Sequence, residues 1–571
     1  MKTWPTLGCS GCWWVSSLLL AAVFTIFSAS ALPTNAGPLS QTWSEPQLLS
    51  PDTQSSWFPD IAADASGRVH AVWSTSLSAG IGQAYDVVMY TASQDGVVWP
   101  PARDIVALPS KGAVTRPSLL TDTAGKLHVT YRSYTVYYTQ APADTVGPST
   151  LLAARQISTP DNGYFSRTAI DKEGRLHLIY TENIQSLDCQ GCFHVFYRQS
   201  DDGGLTWKQP LDISVIASGA AKPQLVIDEQ DGIHVVWEAG LGGDLGQLSP
   251  TFATQIKYTA SYDRGQTWST PVQLGSLPTA AATSEPTLAP PATSTPLSRL
   301  KTPAVTNTPA AATSAATSAP PAATAVPHSA KNVALGANGR GQLVVAWLGL
   351  PEDRVYYQVS GDQGHSWSAP QLIDSLWGAW TVYQGRTDDY AMTTDSAGSV
   401  HLVLVGRTAE QQNTLSVLHT TWSGSAWDKP EAVTTLTGDV PEWPRATVGL
   451  GNHLHLVWFV RDQPHIFGGE GASQYRVWYA ERLLPSPALS PVQLPTAPAS
   501  AVPSAVVTQS QRVTPGPTPT PSATFPTAPQ AIATPELVYN ESDYLRVVAK
   551  SLLPAAAGIL LVVVVVRLLR R

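Results

Sequence analysis

The sequence predicts an all-β chain, a β-propeller of seven four-stranded blades with six or eight as the alternatives, followed by a single C-terminal transmembrane helix. Two observations predict the propeller. A glycine followed by a short strand, often with His near its start and an aromatic at its end, recurs along the chain as GRVHAVW (67–73), GKLHVTY (125–131), GRLHLIY (174–180), GIHVVW (232–237), GQLVVAW (341–347), GSVHLVL (398–404) and NHLHLVW (452–458). A second motif, with serine, aspartate, glycine and a terminal tryptophan, recurs out of phase with the first as SDDGGLTW (200–207), SYDRGQTW (261–268) and SGDQGHSW (360–367). The third observation is the apolar stretch at the end of the chain.

In the His column, with Val344 standing in for the fifth member, the positions are 70, 128, 177, 234, 344, 401 and 455, giving spacings of 58, 49, 57, 110, 57 and 54. Removing the 51 Pro/Thr/Ala/Ser-rich residues 278–328 from the long interval leaves 59, an ordinary repeat. That segment therefore reads as a disordered insertion between blades 1–4 (40–277) and blades 5–7 (329–495), because such a composition cannot bury enough apolar surface to fold. Four repeats and three repeats standing apart would each leave exposed sheet edges. Each repeat supplies an inner strand (PSLLTD 117–122, KPQLVID 222–228), the His strand, a third strand (DVVMYTAS 86–93, QIKYTAS 255–261) and a Trp/Pro element leading into a last strand (WSTPVQL 268–274). Four short strands in roughly 55 residues is one blade. In RVHAVW, Val69, Ala71 and Trp73 alternate with His70 and Val72. WSEPQLL (43–49) matches the outer element of a blade but precedes any blade start, so it is a candidate closing strand for the last one; SPVQLP (490–495) is the competing candidate.

The ends of the chain carry targeting signals. Lys2, an apolar run from Trp13 to Phe27 and Ala29-Ser30-Ala31 read as a secretory signal, 1–31. Cys9 and Cys12 do not follow the apolar run, so lipoprotein attachment is unsupported. Residues 496–533 read as a Pro/Thr/Ser-rich stalk, 547–566 as a transmembrane helix and 567–571, with Arg567, Arg570 and Arg571, as a basic cytoplasmic tail. The expected location is the cell membrane, single-pass, with the propeller outside. A net charge of -8 and only 13% charged residues in 571 argue against a nucleic-acid partner.

The second motif fits S-x-D-x-G-x-[ST]-W, and on those residues the chain resembles the BNR or Asp-box repeat proteins of the sialidase-like propeller superfamily over about 40–495, with a weaker copy at SQDGVVW (93–99). The resemblance implies that Asp202, Trp207, Asp263, Trp268, Asp362 and Trp367 are structural. The aspartate accepts bonds from turn amides, glycine allows the bend and tryptophan packs between blades. It also raises an enzymatic alternative, a membrane-tethered exo-glycosidase hydrolysing terminal anionic sugars with an arginine triad, a Tyr nucleophile assisted by Glu, and an Asp acid. The family's first-blade F-R-I-P is missing: SWFPD (56–60) has Phe58 where the arginine would stand.

The starts of the inner strands and the ends of the His strands should open on one mouth. The starts supply Arg116, Arg167, Lys222, Arg386 with Asp388 and Tyr390, and Trp443 with Arg445; the ends supply Arg132, Glu182, Glu238, Arg407 and Arg461. Arg116, Arg167, Arg386 and Arg445 are the candidate ligand-binding residues, for a glycan or a surface protein. Were the chain catalytic, Glu182, Glu238, Tyr383 and Tyr390 would be the candidate base or nucleophile and Asp86 the acid. The repeated histidines point into equivalent, separate environments, so no metal or cofactor is expected. Cys189 and Cys192 (CQGC) read as a short-loop disulfide outside the cell, against half a metal site lacking its second pair and a redox motif lacking its helix.

Overall fold

A computed structural model describes residues 42–78, 84–107, 114–160, 162–184, 192–215, 219–241, 255–275, 329–379, 389–434, 439–462 and 475–495. Among these every regular element is a strand. A short β1 (Gln47–Leu48) is followed by β2 (Ser55–Ala63), β3 (Val69–Ser78), β4 (Ala84–Ser93) and β5 (Arg103–Ala107). Next come β6 (Thr115–Thr121), β7 (Lys126–Ser133), β8 (Thr135–Pro142) and β9 (Arg155–Gln156), then β10 (Gly163–Ile170), β11 (Leu176–Ile184), β12 (Cys192–Ser200) and β13 (Leu211–Asp212). A further set is β14 (Gly219–Ile227), β15 (Ile233–Leu241), β16 (Gln255–Ser261) and β17 (Val272–Leu274). Beyond residue 328 lie β18 (Ser329–Ala337), β19 (Leu343–Leu350), β20 (Arg354–Ser360), β21 (Gln371–Gly378), β22 (Ala391–Thr394), β23 (Val400–Thr408), β24 (Ser416–Trp422) and β25 (Glu431–Thr434). The last three are β26 (Asp439–Gly449), β27 (His453–Asp462) and β28 (Arg476–Leu483).

These strands form a propeller-like arrangement, but not seven separate blades. Five sheets are four-stranded: β2–β5, β6–β9, β10–β13, β14–β17, and β26–β27–β28 completed by β1. The sixth is eight-stranded, because β21 belongs to two neighbours at once. Its first half pairs with β20 (Tyr356 opposite Leu372) and its second half with β23 (Trp377 opposite Arg407). Gly406 permits the junction: a Cβ there would overlap the Trp377 carbonyl. The inner strands β2, β6, β10, β14, β18, β22 and β26 neighbour one another in a closed circuit.

β1 lies antiparallel to β28, with Gln47 opposite Tyr479 and Leu48 opposite Trp478, so the two ends of the folded region share one sheet. The rival outer element, 490–495, forms no strand. Residues 484–495 instead cross the turns that follow the inner strands: Leu484 N–H donates to Asn452 O, Leu489 N–H to Leu450 O and Val492 N–H to Ala65 O (2.7 Å). The chain thus reaches Pro495 beside Gly125, at the end of the inner strands remote from their first residues.

Alternation along the His strands separates two buried faces, not core from solvent, because each sheet is covered on both sides. Val69, Ala71 and Trp73 are fully buried, and so are His70 and Val72. The aromatic that ends the strand (Trp73, Tyr131, Tyr180, Trp237, Trp347, Trp458) is at most 2% exposed in every copy. Each such ring contributes roughly 1.5–3 kcal/mol by burial.

The column histidines are held in a repeated Asp–His–Tyr chain. His70 lies 3.1 Å from Asp64 and 2.9 Å from the Tyr90 hydroxyl. The same geometry joins Asp122–His128–Tyr138, Asp171–His177–Tyr197 and Asp228–His234–Tyr258. Each of three of these tyrosines packs edge-on against a tryptophan of the following serine–aspartate turn: Tyr138 with Trp207, Tyr197 with Trp268, Tyr258 with Trp367 (centroids 4.9–5.0 Å apart). In the turns, Asp202, Asp263 and Asp362 accept backbone N–H bonds from Thr206, Thr267 and Ser366, each 2.8 Å, and a hydroxyl bond from the same residue. Ser200, Ser261 and Ser360 donate to these carboxylates and accept from Gly204, Gly265 and Gly364. Asp–His–Tyr in one sheet and Asp-turn–Trp in the next therefore form a continuous inter-blade fastening.

The signal segment, the insertion 278–328, the stalk 496–533 and the apolar run 547–566 with its basic tail lie outside the described residues. Among the described residues no helix is long and apolar enough to cross a membrane. Cys189 also lies outside them, as does the Cys192 side chain, and with them the disulfide.

Candidate functional site

Six of the inner strands break register at one shared place. β2, β6, β10, β14, β18 and β26 each carry a bulge. Its first residue has positive φ: Phe58 (52°), Arg116 (51°), Phe165 (46°), Lys222 (48°), Asn332 (51°) and Trp443 (56°). Four are followed by proline (Pro59, Pro117, Pro223, Pro444), which has no N–H to give the ladder and suits a bulge. A left-handed backbone at bulky residues stores strain of about 1–3 kcal/mol each. Recurring in six strands, it re-aims two side chains per strand toward the middle of the circuit.

Two places after the bulge start stand Asp60, Arg167, Gln224 and Arg445, whereas β6 and β18 carry Ser118 and the core residue Ala334 there. Asp389, just before β22, is 1% exposed. Its Oδ2 accepts from Arg445 Nη2 (2.9 Å) on β26 and Gln224 Nε2 (3.0 Å) on β14, with Arg167 Nη2 of β10 at 3.8 Å. Neither β10 nor β14 adjoins β22 in the circuit, so this carboxylate reaches across the ring. Asp60, the equivalent residue of β2, accepts from Leu119 N–H (2.9 Å). The bulge residues form an aromatic collar beside it. The Arg116 guanidinium lies over the Phe58 ring (4.3 Å), Phe165 (4.9 Å) and Trp443 (5.8 Å), and Arg445 lies over Trp443 (4.1 Å). Burial, with neighbouring cations, lowers both Arg116 and Arg445 to about 10, so both stay charged at neutral pH. Phe58 meets Trp443 edge-on at 5.1 Å.

A second polar group adjoins the first. Lys222 Nζ donates to Asn332 Oδ1 (2.8 Å) and lies 3.5 Å from Glu238 Oε1, which accepts from Asn332 N–H (2.7 Å). Lys331 is fully buried there, and burial lowers it to about 8. The middle of the circuit thus carries Arg116, Arg167, Arg445, Lys222 and Lys331 against Asp60, Asp389 and Glu238, an excess of positive charge in a chain that is acidic as a whole.

Of the arginines expected to bind ligand, the structure brings Arg116, Arg167 and Arg445 together; Arg386 lies outside the described residues, with Tyr383 and Asp388. The catalytic candidates do not assemble. Glu182 is 7% exposed and accepts from the Thr159 hydroxyl and N–H. Glu238 is tied to Lys222 and Asn332. Tyr390 is fully buried, in the cluster that holds Leu348 and Leu404, with its hydroxyl beside Gly378. Asp86 sits on β4, the third strand of its sheet, where burial raises its pKa. Among the remaining expected mouth residues, Arg132 covers the Tyr164 ring at 3.5 Å, Arg461 pairs with Glu442, and Arg407 reaches Asp353 (3.4 Å).

Asp389, Gln224, Asp60 and Asn332 were not anticipated. For Asp60 and Gln224 the available signal was the X-Pro step at 58–59 and 222–223, which marks the bulge two places before them; Asn332 and Asp389 have no proline beside them. The geometry can hold an anion against guanidinium and aromatic faces; among the described residues it sets no unengaged carboxylate beside that position.

No family model and no curated protein matches the chain. Similar solved structures include a protein of unknown function from Dyadobacter fermentans, at 12% identity and TM-score 0.42, covering 77% of this chain and 98% of that one. Others are the NanB sialidase from Streptococcus pneumoniae (11%, TM-score 0.38, 78% and 71%) and an α-L-arabinanase from Penicillium chrysogenum (12%, 0.38, 77% and 98%). These likenesses concern fold and say nothing of the chemistry at the mouth.

Proposed function

We propose that this chain is a surface-tethered Asp-box propeller that binds an anionic glycan at the mouth without cleaving it. The observation that carries this reading is the Arg116–Arg167–Arg445 group with its aromatic collar, in a centre with more cations than carboxylates. Guanidinium forks suit carboxylate or sulfate, and Phe58, Phe165 and Trp443 offer faces for sugar C–H groups. Binding without cleavage is supported by Glu182, Glu238 and Tyr390, each engaged or buried within the protein itself, while Tyr383 lies outside the described residues. In this reading the eight-stranded sheet is two blades fused through β21, making seven units around the closed circuit. The signal 1–31 exports the chain and 547–566 anchors it.

The test is a panel of sulfated, uronic-acid and sialylated oligosaccharides against neutral ones, run beside hydrolysis of a fluorogenic sialoside. Retention of acidic members without turnover is expected. Turnover would put an exo-glycosidase in place of the binder.

A further inference from the structure

The last blade departs from the Asp–His–Tyr pattern in a way that builds a different site. Elsewhere the column histidine is held by an aspartate six residues earlier; before His455 that position is Gly449, whose backbone approaches the imidazole so closely that a Cβ would lie 3.1 Å from Nε2. On its other side His455 Nδ1 lies 2.7 Å from the Tyr479 hydroxyl and 3.5 Å from Glu481 Oε2, with Tyr479 donating to that carboxylate (2.9 Å). Two residues along the same face of β27 stands a second imidazole, His453, stacked on His455 with centroids 6.1 Å apart. No other member of the column has a histidine two places before it. One ligand atom each from His453, His455 and Glu481 lies within 4.8 Å of the other two. Ligand atoms around one zinc, at bond lengths near 2.0–2.2 Å, stand about 3.3–3.5 Å apart, so small side-chain rotations close the set.

We propose that His453, His455 and Glu481 bind a zinc-class divalent cation, with water in the fourth position. Two imidazoles and one carboxylate favour zinc, nickel or copper over calcium or magnesium, which prefer all-oxygen sites. Tyr479 donates to Glu481 and so orients that carboxylate, while its contact with His455 Nδ1 gives way to the ion. The site lies at the seam where the chain closes on itself. Ser44 N–H donates to Glu481 O (2.9 Å), Glu481 N–H donates to Ser44 Oγ (3.0 Å), and Gly96 of the first blade packs against the Glu481 carboxylate. An ion there joins β27 to β28 beside the N-terminal strand and the first blade, and it stabilises the closed ring by mass action.

The test uses the purified full chain, stripped with a chelator and titrated with Zn2+ by calorimetry, with Co2+ as the spectroscopic probe. The expected result is one equivalent bound, a visible Co2+ band of nitrogen/oxygen type and a zinc-dependent rise in Tm. His453→Gln, half-buried and free to change without opening the core, should weaken binding at least about tenfold and abolish the Tm rise, as should Glu481→Gln. Cys189→Ser/Cys192→Ser should leave both unchanged. No stoichiometric uptake by folded wild type overturns the proposal. So does uptake of equal affinity in His453→Gln and Glu481→Gln, or a thiolate-type Co2+ spectrum lost in the cysteine variant.

Discussion

Arg445 Nη2 lies 2.9 Å from Asp389 Oδ2, and the two residues are 4% and 1% exposed. Removing one partner of a buried pair leaves the other uncompensated, which typically costs about 3–5 kcal/mol. Asp389→Ala should therefore lower stability by about that amount, measured by denaturant unfolding. Asp389→Asn keeps the shape and should lose less, while tightening anion binding because the mouth gains positive charge. Equal stability of Asp389→Ala and wild type would mean the pair is better solvated than its burial indicates.

The turn aspartates set an acid limit. Hydroxyl and amide donors of Thr206 and Ser366 hold Asp202 and Asp362 down to about 2. Their folded values lie below the unfolded one, so their contribution is complete above about pH 4 and is lost as pH falls toward 2. Thermal melts across that window should show a falling Tm in wild type and a flatter profile in Asp202→Asn/Asp362→Asn. Each single substitution should cost about 1 kcal/mol at neutral pH and leave glycan binding untouched.

The inter-blade fastening can be isolated with two glycines. Gly364 has φ +86° and sits so close to the Tyr258 hydroxyl that an added methyl would overlap it; Gly339 has φ +66° and open space around it. Both Gly→Ala changes pay for backbone strain, about 1 kcal/mol. Only Gly364→Ala also displaces Tyr258 from His234, so its loss of stability should exceed that of Gly339→Ala by a further 1 kcal/mol or about that.

Deleting residues 42–49 removes β1 and Trp43, whose ring meets His419 edge-on at 5.4 Å. The outer edge of β28 would then offer unpaired backbone groups. Light scattering should show concentration-dependent association of the truncated protein at concentrations where the full chain stays monodisperse.

The sequence carried the fold through local signals. Glycine turns, the His strands and the serine–aspartate turns all lie within eight residues, and each reports a bond made nearby. The tyrosines completing the histidine chains were hidden because loop lengths vary: Tyr138 follows His128 by 10 residues, Tyr258 follows His234 by 24. The mouth was half legible. Basic residues at inner-strand starts were recognised, and Asp388 was placed at the mouth beside Arg386, both outside the described residues; Asp389, which the arginines meet, was passed over. A one-residue slip exchanges the two faces of a strand, which is also why Tyr390, taken as mouth-facing, is in the core. The fusion through β21 depends on Gly406 meeting Trp377 from another strand, a long-range contact with no local signature.

The central claim is that the arginines of the mouth bind an anion. The direct measurement is the dissociation constant of an acidic oligosaccharide and of its neutral counterpart for wild type and Arg167→Ala, by calorimetry at fixed salt. Arg167 is the more solvent-accessible of the two arginines at Asp389, at 17% side-chain exposure, so its loss should spare the fold. The account predicts tighter binding of the acidic sugar by wild type and a weakening of about tenfold or more, about 1.4 kcal/mol, in the variant. Equal affinity for the acidic and neutral sugars, or an unchanged constant in Arg167→Ala, would contradict it.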